Sequence, residues 1–196
     1  MALVEGGTGD GYKARVDENK QLHINAQTIH SEDRAVREGR SVNINTGRIS
    51  ISATSAVLYV KNNGANELII TGVAIGVATP SAGFADVLDI SVIRNPTTGT
   101  LISDATAVDM KSNKAFGSSE EFTDILAYKG ASGKTVTDGA DNALVFQNGT
   151  GRAFLDLWYD LPKGKSIAIK IDPNLSSGTV EIYAAVIAHV NDPKDA

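Results

Sequence analysis

Apolar and polar positions alternate with a period of two along much of this chain, and almost nowhere with the period of a helix. Ile49 and Ile51 alternate with Ser50 and Ser52, Ser166-Ile167-Ala168-Ile169-Lys170-Ile171 alternates cleanly, and Val180 and Ile182 alternate with Glu181 and Tyr183. Such runs turn one face to a core and the other away from it, as half-buried strands do. Val57–Val60, Val87–Arg94, Ala153–Tyr159 and Thr179–His189 extend the series. Leu68–Val77 has so little polar content that both its faces are expected to be covered. Between the runs lie residues that tolerate positive φ or fix a turn. Asn62-Asn63-Gly64-Ala65-Asn66 reads as a hairpin or short loop leading into Leu68, and Leu161-Pro162-Lys163-Gly164-Lys165 and Pro173–Gly178 read as turns. Short strands separated by Gly, Pro and Asn turns predict an all-β fold, an antiparallel β-sandwich.

Two stretches depart from this pattern. Residues 1–47 carry much charge of both signs and only short apolar pieces, too few to offset the entropy of ordering the segment alone. They are expected to form an extended arm, with the sandwich occupying residues 48–196. Within the arm, Tyr12–Val16 and Leu22–Ala26 read as short extended pieces, and Ser31–Glu38 as one or two helical turns with Ser31 as N-cap. Residues 95–151 are rich in loop residues, with short strands expected at Thr123–Tyr128 and Leu144–Phe146; Ser119-Glu120-Glu121 could instead open a helix. Long connections of this kind often carry function.

Composition removes several classes of chemistry. The 196 residues include no cysteine, which excludes disulfide scaffolds, thiol nucleophiles and thiolate-bound metals. A net charge of −5 argues against nucleic acid as a partner, because phosphate binding needs a basic face. No apolar run approaches the roughly 20 residues of a membrane-spanning helix, and the N-terminus lacks a basic region followed by an apolar one, so neither a membrane nor a signal peptide is expected.

The remaining candidate motifs are weak. Gly130-Ala131-Ser132-Gly133-Lys134-Thr135 resembles the end of a phosphate-binding loop, but the earlier glycine is replaced by Tyr128 and a turn follows where a helix is required. His23, His30 and His189 have no metal-binding spacing and are expected at a surface or interface. Asp138, Asp141 and Asn142 form an acidic loop without the twelve-residue calcium pattern, and turn formation explains them as well. No Gly-x-Ser-x-Gly elbow is present, and no pair of carboxylates is singled out. In Phe154-Leu155-Asp156-Leu157-Trp158-Tyr159, alternation places Phe154, Asp156 and Trp158 on one face and Leu155, Leu157 and Tyr159 on the other. Trp158 is expected as a partly buried anchor at an edge or subunit contact.

Several segments resemble, in the same order, those of a group of tailed-phage virion proteins. They are Gly11-Tyr12-Lys13-Ala14-Arg15-Val16-Asp17, Leu22-His23-Ile24, Ser31-Glu32, Asn43-Ile44-Asn45-Thr46-Gly47 and Tyr59-Val60-Lys61-Asn62-Asn63. Ile93-Arg94-Asn95-Pro96-Thr97-Thr98-Gly99-Thr100 and Tyr128-Lys129-Gly130-Ala131 belong to the same set, and the C-terminal strands match in pattern. Among virion structural proteins the chain is similar to capsid decoration, or cement, proteins. The resemblance implies a sandwich, often a jelly roll, on the outer capsid surface, made in the bacterial host cytoplasm and commonly trimeric. It implies an arm reaching over neighbouring major capsid protein subunits and contacts with copies of itself or with another head decoration or fibre protein. No cofactor, metal or catalytic motif comes with it, so no enzyme is expected.

On this reading Tyr12, Arg15, Val16, Leu22 and Ile24 supply strand pairing and apolar anchors, Arg34, Arg37 and Arg40 supply polar contacts, and Trp158 lies at a subunit contact. A tail, neck or fibre-attachment protein, or a glycan-binding module using the loops of residues 95–151, are the alternatives.

Overall fold

The computed structural model describes residues 15–16, 22–23, 31–79, 87–108, 110, 122–148 and 151–191. The chain divides into two compact units, Met1–His30 and Ser31–Ala196. In the first, β1 (Arg15–Val16) pairs antiparallel with β2 (Leu22–His23), Arg15 opposite His23 and Val16 opposite Leu22.

The second unit begins with α1 (Ser31–Arg37), followed by β3 (Ser41–Asn45), β4 (Ile49–Ile51), β5 (Ser55–Asn62), β6 (Leu68–Thr79) and β7 (Val87–Arg94). The short helix α2 (Thr100–Ser103), β8 (Thr106–Ala107) and β9 (Ile125–Lys129) come next. The chain then returns through β10 (Ala140–Asn148), β11 (Arg152–Leu161), β12 (Ser166–Asp172) and β13 (Val180–Val190). One sheet has the order β10-β7-β12-β5-β9-β8, and the other the order β11-β6-β13-β3, with β4 also paired to β13.

Early strands pair antiparallel with late ones: β3 and β4 with β13, β5 with β12, β6 with β11 and β7 with β10. The chain is therefore a long hairpin rolled up on itself. Each connection from β4 to β7, and again from β10 to β13, passes from one sheet to the other. That is the strand order of a jelly roll, and it confirms the expected antiparallel sandwich.

Of the two readings of Asn62–Asn66 the short loop holds, because it carries the chain from β5 in one sheet to β6 in the other. Asn62 shapes this loop, its side chain accepting from Gly64 N at 2.9 Å and donating to the carbonyls of Asn66 and Leu161. The division between the units falls at 30/31 rather than 47/48. Ala35 of α1 is fully buried, and β3 pairs with β13 from Asn45–Ala185 to Ser41–His189. The apolar contacts that hold residues 31–47 lie far away in sequence, which is why their local composition looks too poor to fold.

Between the sheets lies one large apolar core. Val42, Ile44, Ile70, Val73, Ile75, Ile182 and Val186 from one sheet face Leu58, Val60, Leu88, Ile90, Val92, Ile167 and Ile169 from the other. A second, smaller cluster lies on the outer face of the six-stranded sheet. There Ala56, Tyr59, Ile93 and Ala168 are covered by Leu101 of α2 and, from the side, by Ile102, Tyr128 and Val136. Tyr59 and Tyr128 stack with ring centroids 5.6 Å apart, and burial pushes the Tyr59 hydroxyl pKa up.

Candidate functional site

The outer face of the five-stranded sheet has no such cover among the described residues. Its inward positions on β13 (Val180, Ile182, Ala184, Val186, Ala188) are buried, and the intervening Tyr183, Ala185 and Ile187 point outward. Cross-strand pairing sets Ala185 between Ala74 and Asn45, and Ile187 between Gly72 and Asn43. On β11, Phe154 sits opposite Ala74 and Asp156 opposite Gly72.

The glycines are needed here because aromatic rings lie over them. A Cβ at Gly72 would stand 2.6 Å from the Phe154 ring, and one at Gly76 would stand 2.1 Å from the Tyr183 ring. Both faces of β6 are thus covered, as its apolar sequence implies, but the outer cover is a thin layer of side chains from its own sheet. Phe154 remains 52% exposed and Trp158 66%. An apolar strip of Gly, Ala, Ile, Phe and Tyr flanked by Asn43, Asn45 and Asp156 is suited to docking, and burying one such aromatic against a partner is worth about 1.5–3 kcal/mol.

β11 is the edge strand of its sheet, and its register with β6 slips between Asp156 and Tyr159, so that Leu157 and Trp158 together oppose Thr71. This bulge bends the strand and re-aims Trp158 toward the end of the sandwich. There it lies over a cleft whose rim also carries Arg94, Asp160 and Lys165.

Neither a family signature nor a curated protein sequence matches the chain. Among solved structures it is similar to a chain of tomato aspermy virus, at 11% identity and TM-score 0.32, covering 88% of this chain and 86% of that one. It is also similar to a chain of infectious bursal disease virus Gt strain, at 13% identity and TM-score 0.20, covering 80% of this chain and 42% of that one. A mutant VP2 protein of the same virus, in derived T=1 particles, aligns at 11% identity and TM-score 0.18, covering 93% and 45%. The jelly-roll assignment rests on the strand order described above.

The motifs that suggested chemistry in the sequence are occupied in building the covered face. In the Gly130–Thr135 segment, Gly130 N donates to Val57 O at 2.8 Å, and Ala56 N donates to Lys134 O at 2.7 Å. Lys134 reaches Asp104 with its ammonium, whose hydrogen bond and charge hold the Asp104 pKa below the usual carboxylate range. Asp138 accepts from Thr97 Oγ1 at 2.5 Å and from the amides of Thr97 and Thr98 at 2.9 Å each. These bonds, the Thr97 hydroxyl foremost, hold its pKa far below normal. Asp138 is a staple between two loops. Among the described residues no group of three metal-ligating side chains converges.

The arm residues Arg15, Val16 and Leu22 lie in the β1–β2 pair, whereas Tyr12, Ile24 and His30 fall outside the described residues. The arginines separate. Arg37 is exposed. Arg34 bridges Glu38 at 3.0 Å, and Arg40 binds Glu38 at 2.6 Å and the Val190 carbonyl at 2.5 Å, so Arg40 fastens α1 to the end of β13. These two guanidiniums, Arg40 first, lower the Glu38 pKa.

His189, expected at a surface or interface, is buried at 2% exposure within the domain, because β3 covers that end of β13. Trp158, expected to be partly buried, is instead exposed, since no described segment crosses its side of the sheet. Sequence reasoning missed Tyr183, Ala185 and Ile187 as parts of a bare face, and the outward half of the β13 alternation was the signal available for them.

Proposed function

We propose that the protein is a virion structural protein, a capsid decoration protein of a tailed phage. It binds the outer surface of the head and clamps adjacent major capsid protein subunits. The observation that carries this reading is the apolar face around the exposed Phe154 and the half-buried Ala185 and Ile187, uncovered among the described residues, in a domain whose opposite outer face is closed by its own chain. A domain that covers one face and leaves the other apolar is built to meet a partner there.

The segment-by-segment resemblance to decoration proteins supplies the partner: the major capsid protein, with further copies of this chain, as a trimer, beside it. The compact unit of residues 1–30 gives a second point of attachment, so that weak contacts add by avidity. On this reading the chain works by binding alone, without cofactor, metal or catalysis, on the outside of the virion.

The test is to mix the purified chain with shells assembled from the major capsid protein and measure co-sedimentation and shell melting. The full chain is expected to bind and raise the melting temperature of the shells. Phe154→Asp is expected to leave the fold intact and lose binding. A variant lacking residues 1–30, checked by circular dichroism, is expected to bind without stabilising the shell. Full decoration by Phe154→Asp would overturn the assigned face, and electron microscopy placing the chain on the tail or neck would overturn the head location.

A further inference from the structure

A cleft of about 590 Å³ opens where the end of β11 meets the adjoining ends of β7 and β12. Its volume lies in the range of small-molecule sites. The floor is apolar, made of Val92, Leu161 and Ile167, all buried. The rim is chemically different. Trp158 stands at one lip with two thirds of its surface exposed, held there by the β11 bulge.

Arg94 and Lys165 stand on the rim with exposed side chains, and neither has an ion-pair partner among the described residues. Asp160 is on the same rim, so the charged groups sum to a local excess of one positive charge in a molecule of net charge −5. Asn95 is fixed between them in a left-handed conformation, φ 52°, with its amide donating to Ser166 O at 2.8 Å and its side-chain oxygen accepting from Ser166 N at 3.2 Å.

We propose that this cleft binds an acidic saccharide, a pyranose chain carrying carboxylates. The flat apolar face of a sugar ring packs on Trp158, Arg94 and Lys165 pair with a carboxylate, and Asp160 accepts hydrogen bonds from hydroxyls. The coexistence of Asp160 with the two cations is what selects this class. A polyphosphate or nucleic acid strand brings closely spaced negative charge and few hydroxyl donors, and would leave Asp160 facing like charge without a donor. An uncharged saccharide would leave two cations unused. The inference goes beyond the decoration reading and does not depend on it, since it concerns soluble protein and a site separate from Phe154.

The chain contains a single tryptophan, so its fluorescence reports on the cleft directly. The intact protein is titrated with oligogalacturonate, alginate oligomers and a sialylated trisaccharide, each beside its methyl ester. Tryptophan emission and calorimetric heat are both followed. At least one acidic member is expected to bind saturably, and its ester about tenfold more weakly. Arg94→Ala combined with Lys165→Ala is expected to erase the difference between acid and ester. Trp158→Phe is expected to keep the heat signal while losing the fluorescence response, and Trp158→Ala to lose both. Absence of saturable binding across the panel, equal affinity for acid and ester, or tighter binding of oligothymidylate would each overturn the proposal. Loss of shell binding by Phe154→Asp would leave these titrations unchanged, so the two readings fail separately.

Discussion

The two outer faces of this sandwich start from similar material and end differently. Each presents small and aromatic residues: Ala56, Tyr59, Ile93 and Ala168 on the six-stranded sheet, and Ala74, Phe154, Tyr183 and Ala185 on the five-stranded one. On the first, the connection between β7 and β10 folds back, placing Leu101 at 0% exposure and laying residues 130–134 across β5, with Thr135 and Thr137 bonded to the 98–101 segment. On the second, no described residue does so, and the aromatics lie on glycines of their own sheet. An apolar sheet face is therefore neither core nor interface by its composition. The difference is made by whether another part of the same chain lands on it.

The largest expected effect comes from prising the cover off the first face. A Cβ at Gly130 would stand 1.9 Å from the Ala56 carbonyl oxygen and 2.9 Å from Val57 Cα, both backbone atoms that cannot step aside. Gly130→Ala is expected to lift the loop, lose its two backbone hydrogen bonds to β5 and destabilise the protein by about 3 kcal/mol, read as a drop in urea midpoint. Gly76→Ala makes the same chemical change on the other face, where the obstacle is the far end of the Tyr183 side chain. That ring can swing outward, and the expected cost is below about 1 kcal/mol. Equal costs at the two sites would mean that both faces are equally constrained, and the comparison would fail.

Next in size is Leu101→Ala. The side chain is fully buried and joins α2 to Tyr59 and Ala168. Its truncation leaves a cavity beneath a short helix that can partly settle, so the expected loss is about 2–3 kcal/mol by thermal or urea unfolding. Exposure of Tyr59 would follow, seen as a lower tyrosine pKa in a spectrophotometric titration, because burial is the main cause of its upward shift.

The strands were legible in the sequence, and their partners were not. Alternation located Val87–Arg94 as it stands in β7, and gave β11, β12 and β13 to within a residue or two. It also put Phe154 and Trp158 at outward positions of their strand, and both are exposed, although the bulge turns Trp158 toward the end of the sandwich. Alternation, however, says only which side chains turn inward. It does not say which of two sheets a strand joins, so Asn62–Asn66 could be read equally as a hairpin or as a short loop between sheets. β3 has only Val42 and Ile44 as inward residues and sits in a charged neighbourhood, so its membership of the sandwich depended on a partner about 140 residues away. The cleft shows the same limit. Arg94 lies opposite Ile167, beside Lys165 and Ser166, through the β7–β12 pairing, and nothing local in either segment announces that meeting.

Acid is expected to loosen the covered face before the rest of the molecule. Asp138 holds the Thr97–Thr98 amides only as a carboxylate, and its pKa in the folded state lies below that of the unfolded chain. The contribution to stability is therefore complete above the unfolded value of about 4 and is lost as pH falls through it toward the folded value. Asp104, lowered by Lys134, acts in the same direction on the same loop. Hydrogen-exchange protection factors of residues 130–138 are expected to fall between roughly pH 4 and pH 2 while β13 stays protected. Asp138→Asn is expected to flatten that pH dependence. If the loop and the core opened together, the cover would be part of the main cooperative unit rather than a layer added to it.

The smallest expected effect on folding is the most informative about function. Phe154 is half exposed and packs on Gly72, with no described segment above it. Replacing it by Ser removes apolar surface of which the folded monomer already leaves half in water, so the unfolding free energy is expected to fall by no more than about 1 kcal/mol. Under the proposed function the same change removes a docking contact worth more than that, because the burial lost is burial against a partner. A substitution at Leu101 lowers folding stability and binding together. One at Phe154 is expected to separate them, with a little-changed urea midpoint beside a weakened association with shells. A Phe154→Ser variant that loses stability as Leu101→Ala does would show that this face, too, is covered by the chain itself.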